Sequence, residues 1–228
     1  MPFFANLIDD LDDRYRLTIA KTISTLTKFR GKTILSLLDS CDSPVGDAVK
    51  RSLAKCFKEP GIKRLQLYTQ ELSDAWVDEL SSFKNLNEVY VKCNFSDSIL
   101  ALLRKLLDQQ QLLFLKIRPA SPEFEAVNLI CEFLQQPQFQ SLYFAGGYNA
   151  NVKKFILACR KTKKAKLSGK KVAWHGFAKL HDKCFRVLQL EEPSVILYEN
   201  KDVSVEYVCD DDANLVPSSA RISVMRFK

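Results

Sequence analysis

The chain has 228 residues, 46% of them hydrophobic and 27% charged, which is enough to bury a sizeable core and excludes bulk disorder. A formal net charge of +7 permits an acidic protein, nucleic acid or anionic lipid as partner without requiring one. Seven cysteines (Cys41, Cys56, Cys93, Cys131, Cys159, Cys184 and Cys209) are widely spaced and form no CxxC pair, so reduced thiols are expected rather than a disulfide framework.

The opening stretch, MPFFANLIDDLDDRYR, lacks the basic start and long apolar run of a secretion signal, and no segment reaches the length of a bilayer span. A cytoplasmic location is therefore expected, with the nucleus as the alternative and no membrane partner. Over residues 3–28, Phe4, Leu7, Ile8, Leu11, Tyr15, Ile19 and Ile23 recur at three- and four-residue steps, which predicts helix. TILSLLDS (33–40) reads equally as strand or helix. Ser43-Pro44 starts a helix with Val45, Val49, Leu53 and Phe57 on one face, and Pro60-Gly61 ends it.

From residue 62 a short alternating segment followed by an amphipathic helix is repeated. Strands are predicted at 62–68, 86–93, 112–118, 139–147, 165–174 and 185–192. Helices are predicted at 72–83, 98–110, 122–136, 151–161 and 177–184, with Ser73 and either Ser96 or Asp97 as N-caps. Pairs of inward apolar residues define the register: Leu65/Leu67, Val89/Val91, Leu115/Ile117, Leu142/Phe144, Ala165/Leu167 and Leu188/Leu190. Their steps are 24, 26, 27, 23 and 23 residues. Three residues before each pair stand Ile62, Leu86, Leu112, Phe139, Thr162 and Phe185, all but one of them large and apolar.

This pattern resembles the leucine-rich repeat, L-x-x-L-x-L-x-x-N/C-x-L at periods of 20–29 residues, over about residues 62–192. The repeat lengths are similar to those of the ribonuclease-inhibitor-like and F-box-associated kinds. The resemblance implies an α/β solenoid with parallel strands on the concave face and helices on the convex face, each unit covering the apolar face of the next. The sequence departs from the family at the asparagine or cysteine position. Asn94 matches it, but Gln70, Ala120, Gly147, Lys170 and Pro193 do not, so the usual asparagine ladder is largely missing and an irregular solenoid is expected. A generic α/β fold with right-handed crossovers is the alternative.

Three regions follow: residues 1–60, a helical N-terminal cap or degenerate F-box-like segment; residues 61–195, the strand–helix repeats; and residues 196–228, an antiparallel C-terminal cap. In the last, VSVEYV (203–208) and ARISVMRF (220–227) alternate around a loop holding Asp210, Asp211 and Asp212.

The chemistry-bearing residues do not assemble into a catalytic set. His175 and His181 are the two histidines, and there is no G-x-S-x-G elbow, Walker A or G-x-G-x-x-G motif. His175, His181 and Cys184 lie close in sequence but lack a fourth ligand and standard zinc spacing. Asp210–Asp212 reads as a solvated loop. The run RKTKKAKLSGKK, with Arg160, Lys161, Lys163, Lys164, Lys166, Lys170 and Lys171, suits phosphate contact or nuclear import, and equally a solvated helix end. No enzyme, cofactor or metal is expected.

The more specific expectation concerns the sheet. If the apolar pairs face the core, the residues between them face outward: Gln66, Tyr90, Lys116, Tyr143, Lys166 and Gln189, flanked by Arg64, Tyr68, Glu88, Lys92, Phe114, Arg118 and Ser141. Tyrosine and arginine are frequent interface anchors. Arg64, Gln66, Tyr68, Tyr90, Lys92, Phe114, Lys116, Arg118, Tyr143 and Lys166 are therefore the candidate partner-binding residues. The expected function is a non-catalytic protein-interaction scaffold. By the F-box resemblance it would recognise substrates for a cullin-type ubiquitin ligase through a Skp1-like adaptor, although residues 1–60 contain no L-P-x-E-type motif. Nucleic-acid binding by the basic and aromatic surface is the alternative.

Overall fold

The computed structural model describes residues 16–20, 24–29, 32–37, 45–58, 60–118, 124–146, 149–161, 166–177, 186–189, 195–209 and 220–228. They form an α/β fold with one open sheet of twelve strands. In chain order the elements are β1 (Arg16–Ala20), β2 (Ser24–Phe29), β3 (Lys32–Leu37), α1 (Asp47–Lys58), β4 (Ile62–Leu67), α2 (Asp74–Ser81), β5 (Leu86–Val91), α3 (Asp97–Asp108) and β6 (Phe114–Ile117). These are followed by α4 (Phe124–Gln135), β7 (Ser141–Phe144), α5 (Ala150–Lys161), β8 (Lys171–His175), β9 (Arg186–Gln189), β10 (Val195–Glu199), β11 (Val203–Cys209) and β12 (Ala220–Phe227). The spatial order is β1-β2-β3-β4-β5-β6-β7-β8-β12-β11-β10-β9. Strands β3 to β8 are parallel, and the strands at both flanks are antiparallel.

Two columns of inward side chains cross the parallel strands. One is Leu35, Leu65, Val89, Leu115, Leu142 and Val172; the other is Leu37, Leu67, Val91, Ile117, Phe144 and Trp174. All are buried in one cluster with Leu53 and Phe57 of α1, Trp76 and Leu80 of α2, Ile99 and Leu103 of α3, Phe133 of α4 and Phe155 of α5. The helices therefore cover a single face of the sheet, and α2, α3, α4 and α5 pack successively side by side. Crossovers between adjacent parallel strands need such helices, and an apolar face of the sheet needs their cover.

The four inward pairs from Leu65/Leu67 to Leu142/Phe144 fall where the sequence places them. The fifth does not. Residues 166–169 form a turn, Gly169 adopts φ +77°, and the strand begins at Lys171, so Val172/Trp174 replaces Ala165/Leu167. The expected sixth strand exists as β9, but it pairs antiparallel with β10 at the far edge. The helix expected over residues 3–28 is, in its described part, the strands β1 and β2, while residues 1–15 lie outside the described residues. Residues 203–209 and 220–227 do form the expected antiparallel pair. The 177–184 helix and the Asp210–Asp212 loop fall almost entirely outside the described residues.

Ile62, the large apolar residue three before the first inward pair, is exposed, while Lys63 is fully buried. The register slips between Lys63 and Arg64, so Lys63 stands beside Leu86, and its Nζ donates to the Thr33 hydroxyl at 3.1 Å. Alternation along β4 sets this, since Lys63 shares a face with Leu65 and Leu67; the extra residue of the slip, Asn87, lies on β5.

An amide ladder joins the helix C-termini. Asn85 Nδ2 donates to the Phe57 carbonyl at 3.1 Å, Gln111 Nε2 to Phe83 O at 2.8 Å and Gln136 Nε2 to Leu107 O at 2.5 Å. Gln109 Nε2 donates to Ser81 O in the same way. Each amide thus satisfies a carbonyl at or just past the end of the preceding helix, where the helix itself offers no donor. At α4 the task passes to Lys170. Its side chain is buried, and its ammonium donates to Gln136 O at 2.8 Å, Pro137 O at 2.9 Å and Phe139 O. Burial holds its pKa below the ordinary lysine range.

The basic run therefore contains lysines of two kinds. Lys166 is exposed, 3.4 Å from Gln135 Oε1, whereas Lys170 ties down a loop. We expect Lys170→Met to lower unfolding free energy by about 3 kcal/mol in urea titrations, because a buried side chain loses its bonds to three loop carbonyls. Lys166→Met should stay within about 0.5 kcal/mol of the parent. Equal effects at the two positions would contradict the assignment.

Candidate functional site: the open face of the sheet

The face opposite the helices is set by alternation. With Leu65 and Leu67 inward, Arg64, Gln66 and Tyr68 must point outward, and the same holds on each parallel strand. One row runs Ser36, Gln66, Tyr90, Lys116, Tyr143, Ala173. A second runs Ile34, Arg64, Glu88, Phe114, Ser141, Lys171, Arg226. A third, just past the strand ends, holds Tyr68, Lys92, Arg118 and Ala145. Their amides donate to Leu37, Leu67, Val91 and Ile117 of the preceding strands.

Lysines and tyrosines interleave across these rows. Lys92 Nζ lies 4.3 Å from the Tyr68 ring centroid and 4.7 Å from that of Tyr90. Lys116 Nζ lies 4.4 Å from Tyr90 and 5.0 Å from Tyr143. Lys92 also donates to the Tyr68 hydroxyl, which in turn donates to Gln66 Oε1 at 3.2 Å. Tyr143 Oη is 2.6 Å from His175 Nε2, and the two rings meet edge to face at 5.4 Å. A connected series Tyr68–Lys92–Tyr90–Lys116–Tyr143–His175 thus spans β4 to β8. A partly exposed ammonium over an aromatic face gains about 0.5–1 kcal/mol, so the rings help to hold each lysine in place.

The flanking carboxylates are engaged by arginines. Arg64 Nε donates to Glu88 Oε2 at 2.6 Å, and Arg226 grips Glu206 through two bonds at 2.7 and 2.9 Å. Lys171 sits beside this second pair. Burial first, then the positive charge of Arg226, holds its pKa low, with Glu206 opposing.

The structure brings Arg64, Gln66, Tyr68, Tyr90, Lys92, Phe114, Lys116 and Arg118 onto this one face. Tyr68 and Arg118 are exposed and the other six half-buried. Two candidates depart from expectation. Tyr143 is on the face but 7% exposed, packed in a small apolar patch with Ala173, Ile222 and Val224. Lys166 lies in the turn before β8, and Ala173 takes its place in the row. His175, Lys171, Arg226 and Glu206 complete the surface without having been singled out for it. The alternation of ARISVMRF, with Met225 and Phe227 inward, could have located Arg226 once the pairing of β12 with β8 was known.

Among the described residues no group of His, Cys, Asp or Glu is placed to hold a metal ion, and no helix is long and apolar enough to cross a membrane. Of the three residues of the zinc reading, His181 and Cys184 lie outside the described residues. Comparison with protein-family models, curated proteins and solved structures finds no match.

Away from the open face, Cys131 of α4 and Cys159 of α5 form a hydrogen-bonded thiol pair. The bond from Cys159 lowers the Cys131 pKa, whereas the same bond and burial raise that of Cys159. Burial pushes Cys93 up to about 11. Limited alkylation of the native protein with iodoacetamide at about pH 8, mapped by mass spectrometry, should modify Cys131 before Cys93 or Cys159, since the thiolate is the reactive form. Equal rates at the three would refute the pairing.

Proposed function

We propose that this chain is a non-catalytic protein-interaction scaffold that uses the open sheet face. The observation that carries the reading is the lysine–tyrosine series across β4 to β8: fixed, half-exposed aromatic and cationic side chains are the groups that anchor protein interfaces. We also propose that β4 to β8 with their helices are irregular repeats of the leucine-rich kind in an open solenoid. The stepwise strand order and the one-sided helical layer support this. The ligase role rests on resemblance alone. Strands at 16–29 lend no support to adaptor-binding helices there, so the proposal stops at the scaffold.

Nucleic acid is the second reading, favoured by the basic and aromatic composition of the face. Single-strand binders stack bases on aromatic faces. Here an ammonium group already lies over the rings of Tyr68, Tyr90 and Tyr143, and Lys170 is committed to backbone carbonyls. Both features favour protein over nucleic acid.

The test is site-directed photocrosslinking in cell extract. A photoreactive residue at Gln66 on the open face should yield discrete protein adducts, while one at Ser82 beside the helical layer should not. Tyr68→Ala combined with Tyr90→Ala should cut the Gln66 adducts about tenfold. Adducts confined to Ser82, or nucleic acid recovered from Gln66, would overturn the reading.

A further inference from the structure

We infer that Cys131 of α4 and Cys159 of α5 are a reversible oxidation site: a small disulfide of the glutathione class joins them into a bond that staples the two helices, and a thiol of the same class releases them. The inference is independent of what binds the open face, because both cysteines lie in the helical layer on the other side of the sheet. α4 and α5 pack side by side and run in the same direction, each connecting two neighbouring parallel strands. Cys131 is the eighth residue of α4 and Cys159 the tenth of α5, so with the helices in step they differ in height by about 3 Å. On α4, Glu125 faces α3, where it pairs with Arg104. Val127 and Cys131 stand about 200 and about 240° round the helix from Glu125, on the flank toward α5, and both pack against the core. There the Cys131 and Cys159 thiols meet in a hydrogen bond.

Packed helices have axes about 8–10 Å apart, and each Cα lies about 2.3 Å from its own axis, so facing Cα atoms come within the range of about 4.4–6.8 Å that a disulfide spans. The two cysteines divide the chemistry. Cys131 is half-buried, and the bond from Cys159 lowers its pKa, with burial and the neighbouring Glu132 opposing. Its thiolate is the attacking form. A bond forms between Cys131 Sγ and one sulfur of the small disulfide, whose own S–S bond breaks, and the other half leaves as a thiolate that takes up the proton Cys131 gave to water. Cys159 is 2% exposed, shielded from a direct encounter with the small disulfide. It loses its proton, attacks Cys131 Sγ and expels the second half, which takes up that proton. Two cysteine thiols are thereby oxidised and one small disulfide is reduced to two thiols. The mixed disulfide also removes the first cause that holds Cys159 protonated, its bond to Cys131, and leaves burial. Cys93, buried and pushed up to about 11, is the internal control.

The experiment incubates the native full chain with oxidised glutathione, quenches with acid and maps each cysteine by mass spectrometry. A Cys131–Cys159 disulfide should form, Cys131 should be consumed at least about tenfold faster than Cys93, and dithiothreitol should restore both thiols of the pair. Cys159→Ser should stop at a stable glutathione adduct on Cys131, and Cys131→Ser should leave Cys159 reduced. In urea the selectivity for the pair should disappear, because it depends on α4 lying against α5. The measurement on the unsubstituted chain keeps the test decisive if a serine variant folds poorly. No disulfide between the two in the native chain, a lasting glutathione adduct on native Cys131, oxidation of Cys93 as fast as Cys131, or the same pairing in urea would each overturn the inference.

Discussion

The structure depends on alternate residues of each parallel strand entering one core. Leu35 to Val172 in one column and Leu37 to Trp174 in the other are buried against a single layer of helices. A slip of one residue in any strand would carry Lys116 or Tyr90 into that core and Leu115 or Val89 out of it. The composition of the open face is thus a direct consequence of what the inner face must exclude. The second column runs through aliphatic Leu37, Leu67, Val91 and Ile117 and ends on the two largest side chains, Phe144 and Trp174. Where it meets the antiparallel flank, Trp174 lies opposite the buried Ser223, whose hydroxyl donates to the Gly176 carbonyl at 2.7 Å. A small residue on β12 accommodates the largest one on β8.

The polar counterpart of this packing lies between helix ends. Stacking helices side by side crowds their terminal carbonyls against the next unit, where water cannot serve all of them. Asn85, Gln109, Gln111 and Gln136 each reach back one unit to supply a donor. The asparagine ladder that the sequence lacks after its strands is answered by an amide ladder at the other end of the helices. At the strand C-terminal end the Ser96 and Ser98 hydroxyls share the Gln70 carbonyl, and Ser96 also caps α3 through the Ile99 amide at 3.4 Å. Ser73 occupies the N-cap position of α2, but its side chain makes no cap bond.

Legibility in the sequence followed the strength of alternation. From Leu65 to Phe144 the inward pairs are separated by polar or aromatic residues, and both the burial and the outward row could be read residue by residue. At 165–174 two registers compete, since Ala165/Leu167 and Val172/Trp174 both satisfy an apolar pair. The turn signal of Ser168-Gly169 decides for the second, and Leu167 is buried from the turn instead. At 16–29 apolar steps of three and four coexist with a run rich in β-branched Thr and Ile. Pairing with β3 favours strand, a long-range contact that no local pattern contains. Lys63 was hidden for a different reason. Alternation from Leu65 and Leu67 places it inward, but a lysine there goes against the apolar pattern until Thr33 is seen beside it.

The lysine–tyrosine series also resolves a conflict created by the sheet. Cations on neighbouring strands of one face repel, and like charges opposite one another destabilise a pair. Interposing Tyr90 between Lys92 and Lys116 gives both ammonium groups the negative face of one ring, which offsets part of that repulsion. A salt bridge would stabilise the same lysines, as Glu88 does for Arg64, but it would cancel the charge it fixes. An aromatic ring fixes position and leaves the charge in place. On β4 the cation is met by a carboxylate, and on β5 and β6 Lys92 and Lys116 are met by the ring of Tyr90, so the same face holds its cations by two different means.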